Sequence, residues 1–440
     1  MMVISIRTSN SDARRGVHGG CYRQFQFCRA KLLPVFVSFC PHKNDHQGRV
    51  MRTRITLLCV AAIPFALAAC GGGGGGNSSG ATGTLHVAMT DAPSCGFDHV
   101  YVTVNKVRVN ASSSASDTDG GWTDIALPSP QKIDLLSLTN GVLSDLGRAP
   151  LAAGQYQQIR LVLAQNQGNT VANSVVVSGT TAEQPLATPS ATQSGYKIIQ
   201  PFTVQANTLV DLVLDFNACK SVVQRGNGTY SLKPVVTATP TVVSGSIAGY
   251  VATAEAGATV YAEQNGQVIR GTVADSNGQF ILSPLVQSSS NGNYDVVIVD
   301  NRQPNGHANG VIHAVPVTAS ATTTIATSAA PITLPSSAVN TIAGTVTASA
   351  QATMRALQND GAGSYEVTST NANLDTGTYT LAVPAAATLT GTYKGAVPVT
   401  LSQAAAAGSY TVEADSASGA TQFAGANVSS GSQSGINFNF

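Results

Sequence analysis

Where apolar residues recur regularly in this chain they do so at every second position, the pattern of strands half-buried in a sheet. Leu85, Val87 and Met89 form one such face, and Thr90-Asp91-Ala92-Pro93 follows as a breaker. Val100, Val102 and Val104 lie on even positions but Val107 and Val109 on odd ones. The face slips at Asn105-Lys106, and a β-bulge there restores it. Ile159, Leu161 and Leu163, with Arg160 on the other side, predict a further strand, as do Val175 to Val177 and Tyr196 to Val204. In Val210, Leu212, Leu214 and Phe216, Asp211 and Asp215 occupy the opposite face, the in-out alternation of a half-buried antiparallel strand. Ile133 to Leu146 is the one stretch with helical spacing, and Gly141 interrupts it, so short turns are expected there. Seven or so short strands between residues 84 and 240 predict an all-β sandwich or open barrel.

From Val243 the composition shifts toward Ala, Thr, Ser and Gly, and the chain repeats itself. Ile247-Ala248-Gly249-Tyr250-Val251 returns as Ile342-Ala343-Gly344-Thr345-Val346, and Ala258 to Ala262 as Ala352 to Ala356. Asn277-Gly278-Gln279-Phe280 is matched by Thr376-Gly377-Thr378-Tyr379, and Gly292-Asn293-Tyr294 by Gly408-Ser409-Tyr410. Two copies predict two modules, residues 243–317 and 338–440, with Thr318 to Ser337 as a linker and an Ala-rich insertion near Ala385 to Ala407. The first copy resembles the carboxypeptidase regulatory-like, transthyretin-type sandwich, which implies seven short strands per module; the second is a divergent copy. The preceding region, 84–240, resembles a bacterial lipoprotein domain of unknown function. The motifs that carry this likeness are Thr90-Asp91-Ala92-Pro93, Ile133-Asp134-Leu135-Leu136 with Asn140-Gly141, Gly154-Gln155-Tyr156, Asp215-Phe216-Asn217-Ala218 and Leu232-Lys233-Pro234-Val235. That resemblance implies a β-sandwich and no activity.

Ahead of these modules the pattern changes in kind. Met51-Arg52-Thr53-Arg54 is a basic start, Ile55 to Leu67 is apolar, and Ala68-Ala69 supplies the small residues of a cleavage site. Because they lead directly into Cys70, residues 51–69 resemble a lipoprotein signal peptide, which implies that Cys70 is lipidated and becomes the mature N-terminus. Residues 1–50, with Cys21, Cys28 and Cys40 at spacings that fit no zinc pattern, read as an untranslated extension ahead of the true start at Met51. Six glycines follow Cys70, and residues 70–83 form a flexible tether. Gly71 stands where an aspartate resembles an inner-membrane retention signal, so an outer-membrane lipoprotein of the bacterial cell envelope is expected. The apolar run is short of the ~20 residues that a spanning helix needs.

Charge sharpens this division. Residues 1–50 carry eight Lys or Arg against two acids, whereas residues 71–440 carry thirteen against twenty, a net charge of −7. A scatter of cations without a basic stripe excludes nucleic acid as the expected partner. Cys95 and Cys219 are the two cysteines after Cys70, and in an oxidising compartment they are expected to form a disulfide.

Candidate chemistry is sparse. Gly76-Asn77-Ser78-Ser79-Gly80 fits the G-x-S-x-G pattern but lacks the strand before and helix after that a nucleophile elbow requires. Four histidines, His86, His99, His307 and His313, are spread along the mature region, with only the last two close in sequence. Asp117-Thr118-Asp119-Gly120-Gly121 and Asp275-Ser276-Asn277-Gly278 look faintly like calcium loops, yet position twelve is Pro128 or Val286 rather than glutamate, so both read as solvated turns and Asn277-Gly278 as a hairpin. Asp91, Asp211 and Asp215 are weak candidates for a metal or hydrolytic site should their strands converge, with Arg160 as an alternative partner. Trp122, the single tryptophan, is a weak candidate for a carbohydrate platform and otherwise an anchor at the core or edge. No cofactor is expected. The sequence therefore supports a lipid-anchored, non-enzymatic envelope protein that binds a glycan or protein ligand or acts as a spacer; the alternatives are a carbohydrate-binding module and an envelope hydrolase.

Overall fold

The computed structural model describes residues 81–92, 96–168, 171–233, 235–404 and 407–440. The expected extension, signal peptide, Cys70, most of the tether and Cys95 lie outside them. No helix among the described residues is long and apolar enough to cross a membrane. The architecture is all-β, in several sheets packed as tandem sandwiches.

The first module contains β1 (Thr82–Ala92), β2 (Phe97–Asn110), β3 (Thr123–Asp134), β4 (Ser144–Ala152), β5 (Gly154–Leu163), β6 (Ser174–Val177), β7 (Gln184–Ala187), β8 (Tyr196–Val204), β9 (Leu209–Asn217), β10 (Val222–Gln224), β11 (Tyr230–Leu232) and β12 (Val236–Pro240), with the one-turn helix α1 (Ala218–Ser221). One sheet runs β12-β9-β1-β4; the other runs β10-β11-β7-β6-β2-β5-β8, with β3 on the far side of β2. Leu85, Val87, Leu212, Leu214 and Phe216 from the first sheet meet Val102, Val107, Ile159 and Leu161 from the second in one core. The slip between Val104 and Lys106 is present as a register shift in β2 against both β3 and β5. It lets valines of both parities face the same core. The segment with helical spacing holds a single 3-10 turn, Leu135–Ser137, capped by Asp134, whose side chain accepts from Leu136 N; its ends belong to β3 and β4.

Two expectations about this module change. Thr90 to Ala92 continue β1 rather than break it, and β9 is not antiparallel on both sides. It pairs in parallel with β1, placing His86 opposite Asp211 and Thr90 opposite Asp215, and antiparallel with β12.

The repeat appears as a repeated topology. The second module holds β13 (Ser244–Tyr250), β14 (Thr259–Gln264), β15 (Gln267–Val273), β16 (Gln279–Val286), the short helix α2 (Ser288–Asn291), β17 (Tyr294–Asp300), β18 (Asn305–Val315) and β19 (Thr322–Thr324). The third holds β20 (Ser336–Thr345), β21 (Thr353–Asn359), β22 (Ser364–Asn371), β23 (Thr378–Pro384), β24 (Leu389–Thr392), β25 (Ser402–Gln403), β26 (Ser409–Asp415) and β27 (Thr421–Asn427). The order β15-β14-β17-β18 recurs as β22-β21-β26-β27, and the pair β16-β13 as β23-β20. β19 lies parallel to β13, as Gln433 and Phe438 lie parallel to β20.

The segment read as a linker is part of the second sandwich. It supplies β19, and Ile325, Ala326, Ile332 and Leu334 are buried in that core. Asn277-Gly278 turns the chain between β15 and β16, which lie in different sheets, so it is not a hairpin. The hairpin is instead Asn265-Gly266, both at positive φ, between β14 and β15.

The copies are fused rather than strung in series. β18 pairs with β20, so one sheet runs continuously through both modules, and β24 from the Ala-rich insertion adds in parallel to β18, Gly310 opposite Leu389 and His313 opposite Thr392. Tyr261, Val297, Val299 and Val311 of the second module lie in the core of the third.

Candidate functional site

The three acids singled out from the sequence do not come together. Asp91 follows Val87 and Met89 on the core-facing side of β1, and its Oδ1 accepts from the N–H of Ala218 at 3.0 Å, at the start of α1. Asp211 and Asp215 lie on the opposite face of that sheet, four residues and about 13 Å apart along β9. Asp211 meets His86 Nδ1 at 2.6 Å, and the same imidazole reaches Asp145 at 3.2 Å. Asp215 is buried, 2.6 Å from Arg270 Nη1 of the second module. Burial pushes its pKa above the ordinary carboxylate value, against the pull of Arg270. Arg160, weighed as a partner for these acids, sits in the other sheet and donates to the carbonyls of Ser194 and Ala115. Asp211 fits the surface charge expected of it, whereas Asp91 and Asp215 are enclosed.

Sequence reasoning missed a cluster of ionisable groups at the meeting of all three modules. Glu366 on β22 receives Lys220 Nζ from α1 at 2.9 Å and Arg355 Nε from β21 at 2.6 Å. Arg355 also donates through Nη1 to Glu413 on β26 at 2.9 Å and through Nη2 to the carbonyl of Gly266. Glu263 on β14 accepts the N–H of Glu366 at 3.1 Å. Burial pushes Glu366 up, but Lys220 and Arg355 outweigh it and hold its carboxyl below the ordinary range. Glu263 has no such cation in contact; burial, then the charge of Glu366, raise its pKa well above normal. Gly266 is required twice over: its φ is +71°, and a Cβ would stand 2.5 Å from the carbonyl oxygen of Ser364.

Each histidine among the described residues contacts an aspartate: His86 as above, His99 with Asp134 at 2.6 Å, His307 with Asp300 at 2.6 Å, and His313 with Asp360 at 2.7 Å and Asp295 at 3.3 Å. His307 and His313 share no ligand, and no group among the described residues is arranged to hold a metal ion. The two acidic turns bond internally: Asp119 accepts from Ser116 N, and Asp275 Oδ1 from Asn277 N and Gln279 N. Trp122 is half-buried, with the guanidinium carbons of Arg108 and Arg160 at 5.0 and 5.1 Å from its ring centroid, and its Nε1 donates to Ser116 O at 2.8 Å. The ring anchors the loop 111–122 to the sheet through cation–π contact.

Two hollows lie between modules. One, of about 560 Å³, runs beside Leu209, Asp211 and Val213 and is closed by Ser244 to Ser246, Pro284 and Thr322. The other, of about 430 Å³, is lined by Gly96, Phe97, Cys219, Tyr230, Asn371 and Tyr379. Of the charged groups described above, Asp211 alone lines one of them.

Residues 82–234 match a family described as a domain of unknown function, DUF4382. The DUF4382 match spans β1 to β11, including Asp91, Trp122, Asn140, Asp211, Asp215 and Lys220. Three of these tie the DUF4382 region to the second and third modules: Asn140 through Thr272 and Ile281, Asp215 through Arg270, and Lys220 through Glu366. No curated protein matches the chain.

Proposed function

We propose that this chain is a lipid-anchored protein of the bacterial outer membrane, whose β-modules act as one non-enzymatic body that presents its loops for binding or serves as a spacer. The observation that carries the reading is the use made of the ionisable side chains. Asp215 with Arg270 and Lys220 with Glu366 pair across module boundaries, and Arg355 reaches the carbonyl of Gly266 in the second module, so that these groups tie the body together rather than converge on a cleft. Their arrangement supports a rigid body more than a catalyst. The anchor rests on the signal segment ahead of Cys70 and the glycine tether after it. The second and third modules are proposed as carboxypeptidase regulatory-like sandwiches, supported by their shared strand order.

A Cys95–Cys219 disulfide is part of the same proposal. Gly96, the neighbour of Cys95, lines one hollow together with Cys219, and closing a loop of about 125 residues stabilises by ~4 to 5 kcal/mol in the chain-entropy account. Metabolic labelling with an alkyne fatty acid tests the anchor: label on the wild type and none on Cys70→Ala is expected, and label retained by Cys70→Ala refutes it. Thiol alkylation of the same non-reduced preparation is expected to leave Cys95 and Cys219 unmodified. Hydrolase activity abolished by Asp211→Asn would overturn the non-enzymatic reading.

A further inference from the structure

The internal repeat makes β18 and β27 equivalent strands, each last in the order of its four-stranded set. Their outer edges are treated differently. In the second module β24 covers β18 from Gly310 to His313, and β20 covers its start. In the third, β27 pairs with β26 on one side and ends the sheet.

That edge lacks the usual protection. Its sequence, Thr421-Gln422-Phe423-Ala424-Gly425-Ala426-Asn427, has no charge and no proline. The N–H of Asn427 leaves the ladder for Gln433 Oε1, and that of Val428 returns inward to Gly408 O. By the antiparallel alternation, Phe423 and Gly425 then direct their backbone groups outward. Phe423 is 63% exposed, the most exposed aromatic ring of the described residues. Gly425 is not at positive φ, and a Cβ added to it meets nothing within 4 Å. Neither the phenylalanine nor the glycine is explained by packing within the chain. Glycine inside a strand marks a place where another group approaches closely.

We propose that β27 is the docking edge for a second copy of this chain, the two strands pairing antiparallel about a two-fold axis through Ala424. This register sets Phe423 opposite Gly425 of the partner and Gly425 opposite the partner's Phe423. Both are hydrogen-bonded pairs, so each exchanges two N–H···O bonds between outward-facing groups. Each ring then covers the bare backbone that a side chain would block. The patch is self-complementary, as a two-fold contact requires. A pairing one residue out of register would set Phe423 opposite Ala424 or Ala426 and lose this fit. The interface is a single strand pair, so the association is weak in solution and strengthened wherever chains are concentrated on a surface.

Sedimentation equilibrium of the full chain in detergent, with non-reducing gels of Ala424→Cys after mild oxidation, tests the proposal. Expected are a reversible dimer and a reducible Ala424→Cys cross-link, since the axis places the two cysteines in a facing non-hydrogen-bonded pair. Phe423→Lys is expected to weaken dimerisation ~10-fold or more. Gly425→Val is expected to abolish it while leaving the thermal midpoint unchanged, because the valine fits the free chain and collides only with the partner's ring. A chain that stays monomeric, or a dimer that tolerates both Phe423→Lys and Gly425→Val, overturns the assignment.

Discussion

Replacing Arg270 by methionine separates the charge of the Asp215–Arg270 contact from its packing. Methionine keeps much of the apolar stem, so the main loss is the cation 2.6 Å from a buried carboxylate. Asp215 then has two courses: to stay ionised without its cation, or to take up a proton. The second caps the cost. Against an unfolded carboxylate pKa of about 3.9, protonation at pH 7 costs about 4 kcal/mol, within the ~3 to 5 kcal/mol typical of breaking a buried pair. At pH 5 the same cap is about 1.5 kcal/mol. A further loss of about 1 kcal/mol, independent of pH, comes from Pro284 O, which accepts from Arg270 Nε and Nη2 at 3.3 Å. The sign follows from burial, which raises the folded-state pKa of Asp215 even in the wild type. The folded form binds the proton more tightly than the unfolded one, so stability falls as pH rises from the unfolded pKa toward the folded one. Urea unfolding of Arg270→Met followed by circular dichroism is therefore expected to show a deficit of up to about 5 kcal/mol at pH 7 that shrinks toward pH 5. Asp215→Asn is the control: it removes the titrating carboxyl and strands a guanidinium that stays protonated throughout this range, so the variant's own stability carries no pH dependence from this pair. An Arg270→Met deficit equal at pH 5 and pH 7 refutes the assignment of its cost to an uncovered Asp215 charge.

The other junctions give parallel expectations. Glu366→Gln removes the anion shared by Lys220 and Arg355 and is expected to cost ~3 to 5 kcal/mol in urea unfolding, with the remaining cations uncompensated. Asn140→Ala deletes a side chain whose Oδ1 accepts from Thr272 Oγ1 at 3.0 Å and Ile281 N at 3.1 Å. The expected loss is ~1 to 3 kcal/mol, accompanied by faster proteolysis at Thr241 to Val243, where the first and second modules join.

The fold was legible where one strand carries its own instruction. The parity switch between Val104 and Val107 announces a bulge because five valines otherwise could not share one core. The repeat was legible because the G-x-V segment and the Ala-Thr pair of Ala258-Thr259 and Ala352-Thr353 recur at nearly constant spacing. β3 was hidden by Pro128 and Pro130, which an interior strand excludes, but its far edge is unpaired and tolerates them. Thr318 to Ser337 has the composition of a linker, yet Ile325, Ile332 and Leu334 suffice to bury it in the second core. The parallel neighbour of β9 was invisible for a different reason: strand alternation fixes which face is apolar and not which distant strand lies alongside. The junction had one visible signal, Arg355 and Glu366, each the one charge in its strand, in a chain with only 10% charged residues. Its partners, however, lie 146 and 103 positions away by way of Lys220 and Glu263, and no local pattern connects them.

These placements bear on what the repeating unit is. A sandwich that folds for itself closes its own core and leaves its outer faces to solvent. Here Tyr261, Val297 and Val311 of one copy lie in the core of the other, and β24 leaves its own copy to pair with β18. Arg355 is balanced by Glu366 and Glu413 of its own copy, but Glu366 also takes Lys220 from the DUF4382 region and Arg355 the carbonyl of Gly266 from the second copy. Removing any one module would leave buried charge uncovered in another, a cost that apolar interfaces of similar area do not carry. The ionic contacts thus specify the relative placement of the modules more stringently than hydrophobic burial alone. Module boundaries crossed by buried ion pairs fit the proposed role in presenting a surface better than catalysis in a cleft between moving domains.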